Sequence, residues 1–345
     1  MSKVIQVGLI GFGLSGRYFH APFLTINPKF RLKKVASSRP DAVRQFDASI
    51  EWVASTDELL ADPSIDLVFV CSPNETHVDY ARKALEHQKH VVVEKPFALS
   101  EQDAVQILAL AQRQGCLVTA YQNRRWDADF LTIKRVLAEG SLGTLIEYEI
   151  RYDRFTPVSP DSQNWKEQPG IGRGNLYNLG PHLLDQALHL FGKPDTVQAT
   201  IRSIRPNSRV TDYLDIKLGY TDKVVRVESS YMVYHNQPRY SLHGTAGSFI
   251  KGGLDVQEER LRRNEMPDQA DWGIEPQDRW GTLYRDGRSD VLESERGNYT
   301  PFYDNLYDAL VNGVEPAVTP SDIQQLARVI DLAIESSQTQ RTVAF

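Results

Sequence analysis

Cysteine is almost absent from this chain. Two in 345 residues, Cys71 and Cys116, cannot build a disulfide framework or a cysteine-rich metal centre, and such scarcity fits a reducing, cytoplasmic setting. Long apolar runs are missing too: the stretch from Leu67 to Cys71 falls far short of the roughly 18 residues that a membrane-spanning helix needs. No low-complexity tract or block of like charge interrupts the chain, and 24% charged residues exclude extended disorder. A formal charge of −6 excludes nucleic acid as the main partner. Acids are missing from the first forty residues, where Lys3, Arg17, Lys29, Arg31, Lys33, Lys34 and Arg39 all precede Asp41. A strand pattern that begins at Val4 leaves no room for a transit peptide, and glycines at 8, 11, 13 and 16 break the only stretch a secretory signal could use. These cations form either a solvated face or a local field that favours a phosphorylated ligand.

What is present suggests two domains, since a single domain takes roughly 150 residues. The expected division is 1–121 and 122–345. In the first part, Lys3–Ile10, Arg31–Ala36, Asp66–Val70, His90–Val93 and Leu117–Ala120 read as short buried strands rich in Val, Leu and Ile. Between them, 74–88 and 100–114 have helical spacing, with Ser100 as an N-cap and Gly115 as a stop. Strand, helix, strand at this spacing predicts right-handed crossovers and a parallel, doubly wound α/β sheet. After Tyr121 the pattern changes. A helix over 127–139, ended by Gly140, precedes alternating strands over 144–152, 212–220 and 224–231, which predict an open, mainly antiparallel sheet. An amphipathic helix follows over 320–337. Residues 153–178 have no periodicity but hold Phe155, Trp165 and Tyr177, the composition of a pocket wall or lid.

Four groups of residues carry chemistry. Gly11-Phe12-Gly13-Leu14-Ser15-Gly16 follows the first strand and opens a helix. In that context Gly11 allows a tight turn, Gly13 the close approach of a pyrophosphate, and Gly16 close helix–strand packing. The second strand runs out at Val35-Ala36-Ser37-Ser38-Arg39, with no acid to hold a ribose diol. Three donors there favour the 2′-phosphate of NADP, with NAD the alternative should Asp41 serve the ribose. Glu94-Lys95-Pro96 closes a strand at the edge where such sheets bind ligands, so Lys95 is placed to stabilise a developing alkoxide. His182, Asp185 and His189, spaced three and four apart, share one helix face. That face suits a general base with an orienting carboxylate; a polar surface face and a two-His, one-carboxylate metal site are its rivals.

Taken in order, these motifs resemble the glucose–fructose oxidoreductase/inositol dehydrogenase family of nicotinamide-dependent oxidoreductases. The similarity also runs through Ser72-Pro73-Asn74-Glu75-Thr76-His77 and Tyr121-Gln122-Asn123-Arg124-Arg125-Trp126. Within the family, Tyr18-Phe19-His20-Ala21-Pro22 and Asp255–Leu261 are most similar to a bacterial subgroup that includes NADP-dependent scyllo-inositol dehydrogenases. The resemblance implies a Rossmann domain, an α/β domain that often forms the oligomer interface, and a homodimer or homotetramer. It implies a catalytic trio on Lys95, Asp185 and His189. It places Ser72, Asn74, His77, Glu94, Arg124 and Trp126 with the cofactor, the last two, Asn74 and His77 near its nicotinamide end. Tyr152, Trp165 and His182 join the trio as expected contacts of a small polyol or sugar. Asn178 stands where many members carry Asp. The expected activity is interconversion of a secondary alcohol and its ketone, with no resident metal; the alternative is a sensor of dinucleotide or sugar that does not turn over.

Overall fold

The computed structural model describes residues 3–158, 167–235 and 237–345. They gather into two compact units: 1–123 with 257–272 and 298–324, and 124–256 with 273–297 and 325–345.

The first unit is built on a six-stranded sheet, wholly parallel as the sequence predicts, with one strand more than the five read there. Its strands are β1 (Ile5–Ile10), β2 (Phe30–Ala36), β3 (Glu51–Val53), β4 (Leu67–Val70), β5 (His90–Val93) and β6 (Val118–Ala120), in the order β3-β2-β1-β4-β5-β6. The central strands β4 and β5 are buried almost throughout, because helices cover both faces of a parallel sheet. Strand β3 escapes a periodicity reading: three residues, of which only Val53 is buried, leave no alternating pattern. Helices α1 (Ala21–Ile26), α2 (Pro40–Phe46), α3 (Thr56–Ala61), α4 (His77–Glu86) and α5 (Glu101–Gln114) link the strands. The Ser100 hydroxyl accepts the Asp103 N–H at 3.1 Å at the start of α5, and Gly115 ends it at φ 65°. Order reverses between β1 and β4, so the carboxyl ends of these strands form the crevice in which such sheets take ligands.

The second unit carries α6 (Ala128–Ala138), α7 (Asn175–Asn178), α8 (Gly180–Phe191) and a nine-stranded sheet. Its strands are β7 (Leu145–Arg151), β8 (Thr196–Arg202), β9 (Tyr213–Gly219), β10 (Val224–Ser230), β11 (Tyr240–Gly244), β12 (Ser248–Lys251), β13 (Gly281–Arg285), β14 (Arg288–Leu292) and β15 (Val343–Ala344). The ladder is mostly antiparallel, but β7 and β10 run parallel at its centre, which alternation cannot reveal. The register between β7 and β11 shifts beyond His243, so Leu145 turns inward and Ile146 outward, against the uniform alternation that the sequence shows over 144–152.

One face of this sheet buries Leu214, Ile216, Leu218, Val225, Val227 and Leu242 beneath Leu183, Leu184 and Ala187 of α8 and Val329, Ile330 and Ala333 of the C-terminal helix. At roughly 1.5–3 kcal/mol for each fully buried large side chain, that layer holds α8 to the sheet. The opposite face is charged, with Arg226 between Glu149 at 3.6 Å and Glu228 at 3.8 Å. Among the described residues, no helix is long and apolar enough to cross a membrane.

Candidate active site

In the first unit the glycine turn has the geometry expected of it. Gly11 takes φ 94°, and a Cβ there would lie 2.6 Å from the Cys71 carbonyl oxygen. A Cβ on Gly16 would lie 2.2 Å from Gly11 O, so this glycine is needed for the turn to close on the helix. Gly13 differs. Its backbone is one any residue adopts, and a Cβ would meet nothing within 4 Å. Folding alone therefore gives no reason for a glycine at 13; the close approach of a bulky ligand does. That open position is what a dinucleotide pyrophosphate fits. Phe12 turns its ring into the core, edge-on to Phe46 at 5.9 Å, and offers the turn only its backbone.

At the end of β2 the Ser37 hydroxyl accepts the Arg39 N–H at 3.1 Å, while Ser38 and Arg39 stand exposed. The nearest acid in sequence, Asp41, lies in the first turn of α2 and faces Arg44 at 3.5 Å.

Beyond β4, Ser72 accepts the Thr76 hydroxyl at 2.7 Å, and Asn74 opens a short turn that leads into α4. His77 is buried, with Nδ1 2.7 Å from Pro96 O and Nε2 2.9 Å from Ser72 O. Burial pushes its imidazole below the usual range, against the pull of the two carbonyls. His77 thus ties the exit of β4 to that of β5. Glu94 and Lys95 leave β5 at this edge. Burial by itself raises the Glu94 carboxyl, but the His20 hydrogen bond and the charges of His20, Lys95 and His77 outweigh it, leaving the group below its ordinary value.

In the second unit, α8 carries the three polar residues picked out by spacing. Pro181 suits its first turn, and Gly192 ends it at φ 70°. His182 and Asp185 are buried, whereas His189, in the last turn, is exposed with its ring 5.9 Å from that of Phe130. The Asp185 carboxylate forks onto Arg125, with Nε–Oδ2 at 2.8 Å and Nη2–Oδ1 at 2.7 Å. Gln186 donates to Arg124 O at 2.6 Å and accepts the Tyr240 hydroxyl at 3.0 Å, while Arg124 reaches Asp127 at 2.9 Å. The Arg124–Trp126 turn and α8 are therefore one hydrogen-bonded block. Reading by helix face missed Arg125, Asp127, Gln186 and Tyr240; adjacent arginines beside a lone buried-helix aspartate were the only hint.

Tyr152 is buried with three guanidinium groups over its ring, Arg239 at 4.8 Å, Arg154 at 5.3 Å and Arg124 at 5.4 Å. Trp165 lies outside the described residues. Among the described residues, no group of three His, Cys, Asp or Glu side chains is placed to hold a metal ion.

Comparison with known proteins decides the family. Residues 5–122 match the model of the oxidoreductase family's NAD-binding Rossmann fold, and 134–345 match that of its C-terminal alpha/beta domain. The chain belongs to the Gfo/Idh/MocA oxidoreductase family. It is an oxidoreductase with the family's NAD-binding Rossmann domain. The uncharacterized oxidoreductase YdgJ of Escherichia coli (strain K12) is 40% identical over 99% of both chains. The scyllo-inositol 2-dehydrogenase (NADP(+)) IolW of Bacillus subtilis (strain 168) is 35% identical over 98% of this chain and 95% of its own. Among solved structures, the oxidoreductase yvaA from Bacillus subtilis superposes with a TM-score of 0.96 at 34% identity, covering 100% of this chain and 99% of that one.

Proposed function

We propose that this Gfo/Idh/MocA oxidoreductase uses NADP to interconvert a secondary alcohol of a cyclitol or sugar with its ketone, with a scyllo-inositol-like ring as substrate. The observation that carries the reading is Lys95 at the carboxyl end of β5, in the sheet whose β1 leads into the glycine turn. A dinucleotide held at the glycine turn and the end of β2 would supply the hydride acceptor or donor. The Lys95 ammonium donates to the alcohol oxygen and stabilises negative charge as it grows there. An imidazole of α8 takes the hydroxyl proton, and the Arg125–Asp185 fork holds that helix face in register.

Two imidazoles compete for the role of base. His189 is the one the family resemblance names; His182 is the one that is buried, in the first turn of the helix. Preference for NADP is supported by Ser37, Ser38 and Arg39 at the end of β2, by Asp41 facing Arg44, and by likeness to an enzyme whose name specifies NADP(+). The test is a panel of cyclitols, hexoses and deoxysugars offered with NADP and with NAD, followed at 340 nm. Turnover of a ring polyol with NADP, lost roughly 100-fold or more in Lys95→Ala at similar cofactor affinity, is the expected result. Near-normal turnover in that variant removes Lys95 from the chemistry; dinucleotide binding without reduction by any polyol makes the protein a sensor.

A further inference from the structure

His20 ends the helical turn that follows the glycine loop, and it is fully buried. Its Nδ1 lies 3.0 Å from the Tyr303 hydroxyl and its Nε2 3.0 Å from Glu94 Oε1. The Tyr303 hydroxyl donates to Phe19 O at 2.6 Å and lies 3.3 Å from the Tyr121 hydroxyl. Nε2 faces a carboxylate, to which it donates. The other oxygen, Glu94 Oε2, accepts the backbone N–H of Lys95 at 3.0 Å. Phe69 and Tyr121 wall the pair, with ring centres 4.7 and 4.2 Å from that of His20. Besides His20, the ionisable groups that act on Glu94 or feel its charge are Lys95, His77, Cys71 and Tyr303. A buried polar pair is weak evidence for stability, since apolar residues of the same shape often hold a fold as well. Its position one residue from Lys95 gives it another use.

We propose that His20 is a positioning residue for Lys95: by engaging one oxygen of Glu94 it reserves the other for the Lys95 N–H, and so fixes the turn that presents the lysine. The inference rests on the reading of Lys95 as the group that polarises the alcohol. A buried carboxylate that loses its hydrogen-bonding partner seeks another, and the nearest cation in sequence is the Lys95 ammonium itself. Removing the carboxylate together with its partner abolishes that competition.

The test compares wild type, His20→Phe, and His20→Phe combined with Glu94→Gln, each saturated with NADP. Expected is a fall in kcat of roughly tenfold in His20→Phe, with the polyol KM and the NADP dissociation constant within about twofold of wild type. The double variant is expected to recover at least threefold in kcat over His20→Phe, whereas a purely structural role makes the second substitution neutral or worse. A double variant no faster than the single one overturns the proposal. Two measurements stand apart from turnover. Nitrogen NMR of wild type should show the His20 proton on Nε2 toward Glu94, and a bare Nε2 overturns the pairing even if His20→Phe does not fold. Hydrogen exchange at the Lys95 amide should speed up in His20→Phe and slow again in the double variant; unchanged protection overturns the positioning role. A wild type that oxidises no polyol refutes the functional reading, and these two readouts still judge the pair.

Discussion

Gly13→Ala separates ligand from fold more cleanly than any other change in the first unit. A methyl at this position meets no protein atom within 4 Å, and the backbone angles are open to alanine. The unfolded chain loses freedom on gaining a Cβ, so the empty protein should be unchanged or more stable by up to about 1 kcal/mol. In a domain of this size that is at most about 4 °C in melting temperature. Bound dinucleotide tells a different story, because the methyl would occupy the space a pyrophosphate approaches. Overpacking of this kind costs about 1–3 kcal/mol, which is a roughly 5- to 150-fold weaker dissociation constant. Titration of nucleotide fluorescence reads the affinity, and thermal melts with and without NADPH read both quantities on one sample. The stabilisation by saturating NADPH should shrink while the melt of the empty protein holds. Gly16→Ala is the control of opposite sign, since its Cβ would strike Gly11 O at 2.2 Å and lower the melt of the empty protein. A Gly13→Ala variant that binds within twofold of wild type would falsify the assignment of this turn to the pyrophosphate.

Other substitutions probe separate features. Arg39→Ala should weaken NADP roughly 10- to 100-fold, the worth of one charge-assisted hydrogen bond, and leave NAD within twofold; equal losses for both would show that Arg39 does not meet the 2′-phosphate. Lys251 is fully buried and donates to Glu275 at 2.6 Å and to Arg279 O at 2.7 Å. Lys251→Met leaves that carboxylate, which burial already pushes up, without its cation, and urea denaturation should report a loss of about 3–5 kcal/mol that Lys251→Met/Glu275→Leu partly restores. Asp62 accepts from Lys34 at 2.9 Å and from Ser64 N at 2.9 Å, which hold its carboxyl well below the usual range. A depressed carboxylate contributes stability above its unfolded pKa and loses it as pH falls through its folded pKa, so Asp62→Asn should cost about 1 kcal/mol at neutral pH and clearly less by about pH 2. A difference that does not shrink between about pH 6 and pH 2 would point to packing instead of charge.

The first sheet was legible because its signals are local. Buried parallel strands read as unbroken Val, Leu and Ile, and each helix between them carries its own start and stop in Ser100, Gly115 and the glycine turn. Where the chain departs from such patterns, the cause lies in a partner distant in sequence. Strand β3 exists only because Lys34, Val35 and Ala36 of β2 lie beside it. The outward turn of Ile146 follows from a register shift against β11, about a hundred residues on. The parallel pairing of β7 and β10 is likewise a property of two segments together.

The site divides along the same line. Glycines at 11, 13 and 16, the acid-free end of β2 and the lysine after β5 each sit in an element whose type could be read, and a strand end or turn already specifies where its residues face. Helix α8 shows the limit. Spacing puts His182, Asp185 and His189 on one face, and it treats the two histidines alike. Burial does not: His182 in the first turn is buried and His189 in the last turn is exposed, so one imidazole is enclosed and the other meets water. Asp185 changes character as well, because Arg125, sixty residues earlier, takes both of its oxygens. A carboxylate held in such a fork is a fixed anion that orients what lies beside it, and it is poorly suited to accept a proton, since protonation would break two charge-assisted hydrogen bonds at once. On the proposed mechanism, basic chemistry on this helix therefore falls to a histidine. His182→Asn and His189→Asn distinguish them: the base variant should lose the acid limb of the kcat/KM profile, and the other should keep its shape.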